Sequence, residues 1–160
     1  MKKIFLSLLL LTILVSCKNE PKKTNENNSS SNEKFNTMLK SYFEEEAKLK
    51  PLAATARGDE RYNNSFPNIL SEDYLKQSIA HYNHYLNELN KFNDADLSES
   101  EKMSKEVLKW ECEINLKGFD FNKYYFPIDQ MWSVNLYMGQ FASGTSAQPF
   151  KTVKDYQNWL

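Results

Sequence analysis

Beyond residue 34, apolar positions recur at helical spacing along most of the chain. Between Phe35 and Lys50, the residues Phe35, Met38, Leu39, Tyr42, Phe43, Ala47 and Leu49 fall largely on that spacing, and Pro51 closes the element. A second, longer helix is predicted from about Ser71 to Phe92. Ser71 caps it, Glu72 and Asp73 complement its dipole, and Leu75, Ile79, Tyr82, Leu86 and Leu89 recur in steps of four and three as one packing seam. Asn93 to Asp96 then turns the chain, and Ser98 with Glu101 forms a capping box that opens a third helix ended by Gly118. On this helix Met103, Val107, Trp110 and Ile114 share one face, while Leu108, Cys112 and Leu116 lie roughly opposite. The pattern sets helices two and three antiparallel, with the Leu75-to-Leu89 seam against the Met103-to-Ile114 face or its neighbours. A hairpin buries only one of two apolar flanks, so the other requires a further layer.

Thr152 with Asp155 makes another capping-box-like start, and Val153, Tyr156, Trp159 and Leu160 begin an apolar stripe with no C-cap, glycine or polar tail after it. The expected class is all-α, a helical hairpin or bundle, cut at Leu160 within a larger, mostly helical protein.

The first residues follow a different plan. Lys2 and Lys3 precede an apolar stretch from Ile4 to Leu14, and Leu14-Val15-Ser16-Cys17 ends it as a bacterial lipoprotein signal would. Ile4 to Val15 would span only about 18 Å as a helix at about 1.5 Å per residue, against about 30 Å of hydrocarbon, so it is not a transmembrane anchor. The Cys17 thiolate is the nucleophile that takes a diacylglycerol before cleavage, and acylation then anchors the protein in the bilayer. Lys18 to Asn32 lacks any large apolar residue and cannot order itself by burial. Its reach as a coil is on the order of 20 Å. The expected organisation is therefore a signal peptide at 1–16, a polar tether at 17–33 and a helical domain at 34–160, in a palmitate-bearing lipoprotein of the bacterial envelope, at the outer membrane.

Composition narrows the classes. Cleavage after residue 16 removes Lys2 and Lys3, leaving 18 basic against 21 acidic residues, and no basic patch stands out. Nucleic acid is excluded as a partner on that ground. With Cys17 acylated, Cys112 is the only thiol left, which excludes an intramolecular disulfide and reads as a small buried hydrophobe. The 128 residues from Glu33 to Leu160 suffice for one modest domain.

Few residues carry recognisable chemistry. His81 and His84, the only histidines, sit at i and i+3 on the second helix, but the zincin pattern needs i and i+4 with a glutamate beside the first. Tyr82 stands in the place of that base, and the pair reads as two polar residues on the exposed side, opposite Ile79 and Leu86. Glu44-Glu45-Glu46 likewise reads as a solvated helix face, because adjacent carboxylates on a helix diverge. No metal or catalytic site is expected within the chain. The stretch Leu52 to Asn64 is a small-residue helical turn running into a glycine-punctuated loop of alternating charge. Gly58 permits positive φ there, and Asp59 can hold Arg57 or Arg61 in a charge-assisted bond. This is first a structural lock, with Arg57, Asp59, Arg61 and Tyr62 as candidate loop or cleft contacts. The aromatic run from Phe119 to Phe126 reads as core in preference to a ligand-stacking cleft.

Three blocks in order, Ala53 to Asn63, Pro127-Ile128-Asp129-Gln130 and Pro149 to Leu160, together resemble the N-terminal part of the bacterial family called domain of unknown function 885. The resemblance covers about Phe35 to Leu160. It implies a longer, nearly all-helical protein, often a secreted lipoprotein, related in fold to gluzincin-type zinc metallopeptidases with a His-Glu-x-x-Pro-Gly-His type motif far downstream. In such a site histidines and a carboxylate hold zinc and the motif glutamate deprotonates the metal-bound water for attack on a peptide carbonyl. This chain carries no such motif, so zinc belongs to the longer protein and this segment to the wall over the cleft, with peptides as the implied substrate. The competing class is a non-enzymatic envelope lipoprotein that binds glycans or peptides.

The lipid anchor is directly testable. Metabolic labelling with a fatty-acid analogue is expected to mark the wild type and not Cys17→Ser, which should also leave the membrane fraction. Label retained by the variant would refute the assignment.

Overall fold

The computed structural model describes residues 32–121, 125–131 and 133–160. The signal at 1–16, Cys17 and the tether as far as residue 31 lie outside the described residues, as do Asn122, Lys123, Tyr124 and Trp132. The described residues form six α-helices and no strand: α1 Glu33–Leu49, α2 Pro51–Ala56, α3 Glu72–Leu89, α4 Glu99–Phe119, α5 Val134–Phe141 and α6 Val153–Trp159. The all-α expectation holds.

Local chemistry sets the boundaries. Asn32 caps α1 by accepting from the Phe35 amide at 3.0 Å, so the helix begins within the segment expected to be tether. Pro51 does end α1, and it also opens α2 as that helix's first residue, where its missing N–H costs nothing. Ser71 caps α3 through the Tyr74 amide, and Ser98 and Thr152 close capping boxes with Glu101 and Asp155. Gly118, expected as the stop of α4, instead lies within its last turn, and Asp120 is the C-cap.

The core is a three-helix unit. The ring of Phe35 meets Phe92 edge-on at 5.2 Å and Tyr42 meets Tyr85 at 5.0 Å, which runs α1 antiparallel to α3. Tyr74 and Leu75 at the start of α3 share a wall with Ile114 and Phe119 at the end of α4, so that pair is antiparallel too. Phe35, Met38 and Tyr42 of α1, Tyr82, Tyr85 and Leu89 of α3, Leu97, and Leu108 and Cys112 of α4 form one buried cluster. Cys112 is fully buried, as expected, and burial pushes its thiol up to about 12, which makes it inert.

Two helix faces differ from the periodicity reading. On α3 the inward residues are Ser78, Tyr82, Tyr85 and Leu89, while Leu75, Ile79 and Leu86 are half-buried. The helix is rotated towards Tyr85 because α3 packs on both α1 and α4, and the rings of Tyr42 and Tyr85 need that face for edge-on contact. On α4 the Leu108–Cys112 flank is the buried one. Met103, Val107, Trp110 and Ile114, expected to meet α3, point outward with exposures from 47 to 70%. The expectation of two flanks with only one covered holds, with the two exchanged.

A polar tie fixes the end of the bundle. Glu101, buried at the start of α4, accepts from the Ser98 amide at 2.9 Å, the Ser98 hydroxyl at 2.8 Å, the Asn32 amide at 2.8 Å and the Asn36 side chain at 2.7 Å. One carboxylate therefore joins the starts of α1 and α4, which run parallel. The Ser98 amide and hydroxyl, with Asn32 and Asn36, hold its pKa down to about 2.

The exchange of faces predicts an asymmetry in stability. Leu89→Ala should cost about 2 to 5 kcal/mol if the site cannot collapse, whereas Val107→Ala should stay within about 0.5 kcal/mol. Urea titration of both variants measures this, and equal losses would refute the assignment of faces.

Candidate functional site

The charged loop after α2 is a lock. Gly58 takes φ +88°, a conformation that L side chains rarely adopt, and releases the chain into a 3₁₀ turn at Glu60–Tyr62. Asp59 caps that turn through the Arg61 amide and also accepts from Arg61 Nε at 2.9 Å and Nη2 at 2.7 Å. From the other side Glu44 of α1 takes both Arg61 Nη groups, at 2.6 and 3.1 Å. The guanidinium is thereby committed to two carboxylates, and its hydrogen bond holds Asp59 down to about 2. Arg57 goes elsewhere: it stacks over Phe43 and lies 3.7 Å from Glu46 Oε2. Tyr62 lies under the Arg61 guanidinium, and buried Thr55 donates to Asn63 at 2.7 Å. None of Arg57, Asp59, Arg61 and Tyr62 is among the residues that wall the cleft described below.

The three adjacent glutamates of α1 diverge as helix geometry requires, but they are not one solvated face. Glu44 holds Arg61, Glu45 lies 3.8 Å from His81 Nδ1, and Glu46 is only 5% exposed. Lys50 one turn on donates to Glu46 Oε1 at 3.2 Å and sits 5.2 Å from the Tyr82 ring centroid. Burial opposes the Lys50 charge, but the facing Tyr82 hydroxyl and Glu46 outweigh it and hold the ammonium above its ordinary pKa.

His81 also departs from expectation. Its imidazole stacks on Tyr42 at 5.2 Å and meets Tyr82 and Tyr85 edge-on at 5.3 and 5.0 Å, so the side chain is buried. Its Nε2 has no hydrogen-bond partner among the described residues. Burial lowers its pKa, opposed by Glu45 and Glu46. His84 is exposed against the edge of Tyr85. The two histidines therefore do not converge, and among the described residues no three His, Cys, Asp or Glu side chains gather as metal ligands would. The described residues do not fit zinc.

Among the described residues, a cleft of about 520 Å³ is a concave feature within the usual size of small-molecule sites. The α1–α2 junction forms one wall with Lys50, Pro51, Leu52 and Ala56, and Phe66, Ile69 and Tyr74 extend it. Pro127, Ser133, Val134, Tyr137 and Phe141 close the other side. Periodicity did not predict α5, which supplies that side: it has only eight residues, contains Gly139 and lacks a side-chain cap bond. The Pro127 block was legible as a motif, but nothing in it signalled a wall. Of the aromatic run preceding it, expected in the core, Phe119 packs against the core cluster, whereas Phe121, Tyr125 and Phe126 are exposed.

A family model described as "Bacterial protein of unknown function (DUF885)" matches residues 51–160. No curated protein and no solved structure gave a significant match.

Titration of His81 gives a pH test. The folded state binds this proton only at a lower pH than the unfolded chain, so the group's contribution is complete above about 6.5 and is lost as pH falls through that value. Glu101 and Asp59, both held near 2, lose theirs only below their ordinary values of 4.5 and 3.8. The urea midpoint should therefore fall between pH 7 and 5, and His81→Phe should flatten that interval while leaving the steeper loss below pH 4.5. An unchanged profile in the variant would contradict the burial of a neutral His81.

Proposed function

The chain belongs to the DUF885 family, and we propose that it is the membrane-tethered, N-terminal helical segment of a zinc metallopeptidase-like hydrolase whose catalytic motif lies outside these residues. The observation that carries this reading is the outer flank of α4. Met103, Val107, Trp110 and Ile114 make an apolar stripe at helical spacing over three turns, and each is at least 47% exposed. Scattered surface hydrophobes need no explanation, but a continuous stripe of this kind is what a helix presents to a further layer. A larger helical body of the sort the family resemblance implies would cover it.

In this reading the segment's own residues do no chemistry. The Arg61 lock and the Glu101 tie hold α1, α2 and α4 in fixed relation, and that rigidity shapes access to a catalytic centre contributed elsewhere. Cys17 anchors the assembly in the envelope membrane, and the tether holds the helical body off the surface.

Comparison of the 160-residue chain with the longer protein that this reading implies tests the proposal. The longer protein should bind zinc stoichiometrically, hydrolyse peptides in a chelator-sensitive manner and protect Trp110 from acrylamide quenching. The shorter chain should do none of these. Zinc in the short chain, abolished by His81→Ala, would overturn the reading. A longer protein without zinc or turnover that binds glycans saturably would establish the binding-lipoprotein alternative.

A further inference from the structure

The cleft beside α2 has a chemistry that neither the lock nor the hydrolase reading uses. Its walls are almost wholly apolar, through Pro51, Leu52, Ala56, Phe66, Ile69 and Phe141. Against this background two polar features stand out.

The first is Lys50. Its ammonium has three donors, of which Glu46 takes one and the Tyr82 hydroxyl faces a second, and Arg57 also approaches the Glu46 carboxylate. Arg57 thus shares the one buried acid that pairs Lys50, and Lys50 alone brings a positive charge to the cleft wall.

The second is the start of α5. Ser133 occupies its N-cap position, yet its hydroxyl makes no cap bond. The residue is 4% exposed and lines the cleft, and its Oγ has no hydrogen-bond partner among the described residues. An unpartnered hydroxyl at this depth is costly unless something accepts from it. The first amides of α5 also lack intrahelical acceptors, and Val134 at its first position lines the same cleft. A helix N-terminus, a buried unpaired hydroxyl and a lysine with a spare donor therefore border one apolar space.

We propose that this cleft binds a small amphiphilic carboxylate, with the anionic head between Lys50 and the Ser133 end of α5 and the hydrocarbon body along Pro51, Leu52, Ala56 and Phe66. A purely apolar ligand would leave Ser133 unpaired, and a cationic one would face Lys50. A small hydrophilic anion would leave the apolar walls wet. Only a molecule with both characters satisfies both parts of the lining.

Calorimetric titration of the full chain with decanoate below its micelle-forming concentration tests this, using decanol and decyltrimethylammonium as matched neutral and cationic tails. One decanoate should bind per chain, at least tenfold more tightly than either comparator. Ala56→Trp, at an exposed position on the rim, should weaken decanoate at least tenfold with unchanged circular dichroism and unfolding. Lys50→Met should abolish the preference for the anion, and Ser133→Ala should weaken decanoate by a smaller factor. Should Lys50→Met fail to fold, the comparator tails and Ala56→Trp decide alone. Equal binding of the three tails, decanoate binding indifferent to Ala56→Trp, or no binding at millimolar decanoate would overturn the proposal. So would binding of an apolar tripeptide with a free C-terminus where decanoate does not bind, because the carboxylate would then belong to a peptide.

Discussion

The rotation of α3 about its own axis governs the rest of the bundle. With Tyr82, Tyr85 and Leu89 turned inward, α1 must cross where Phe35, Met38 and Tyr42 can meet them, and α4 must present Leu108 and Cys112. Cys112 matters here because it is small: four aromatic side chains already occupy the centre, and a larger residue would force them off their rotamers. Turning that flank of α4 inward necessarily turns Met103, Val107, Trp110 and Ile114 outward. The exposed stripe is thus a consequence of the core packing.

The same rotation explains the polar groups the core carries. Burying His81 among Tyr42, Tyr82 and Tyr85 draws Glu45 towards its Nδ1 and leaves the face of Tyr82 to Lys50. Lys50 in turn holds Glu46, and the α1–α2 junction at Pro51 brings Lys50 to the edge of the cleft. The Arg61 lock fixes the loop after α2 to Glu44 of α1, so the wall formed by α2 does not move independently of the core. Core, lock and the α2 wall of the cleft are thereby joined.

Capping chemistry was the most legible part of the sequence. Ser71, the Ser98–Glu101 box and the Thr152–Asp155 box act over three residues, so their pattern survives whatever the tertiary structure does. Gly58 and the Asp59–Arg61 pair were legible for the same reason, while the partner Glu44, seventeen residues away, was not. Helix rotation was the hardest to read. On α3 both Tyr85 and Leu86 fit an apolar seam, and the choice rests on ring-to-ring contacts with α1 that no local spacing encodes. His81 was misplaced because an imidazole reads as polar, although three aromatic neighbours make a cage in which its neutral form is at ease. The cleft was illegible because α5 is short and its only sequence signal is a serine before an apolar run.

Thiol accessibility decides whether α4 is oriented as described. In the Cys17→Ser background Cys112 is the only thiol, and a colourimetric disulfide reagent should leave it unmodified in the native 160-residue chain until denaturant is added. A cysteine placed at position 107 in that background should react at once, at the rate of an exposed thiol. Rapid modification of native Cys112, with protection at position 107, would mean that α4 faces the core with its other flank.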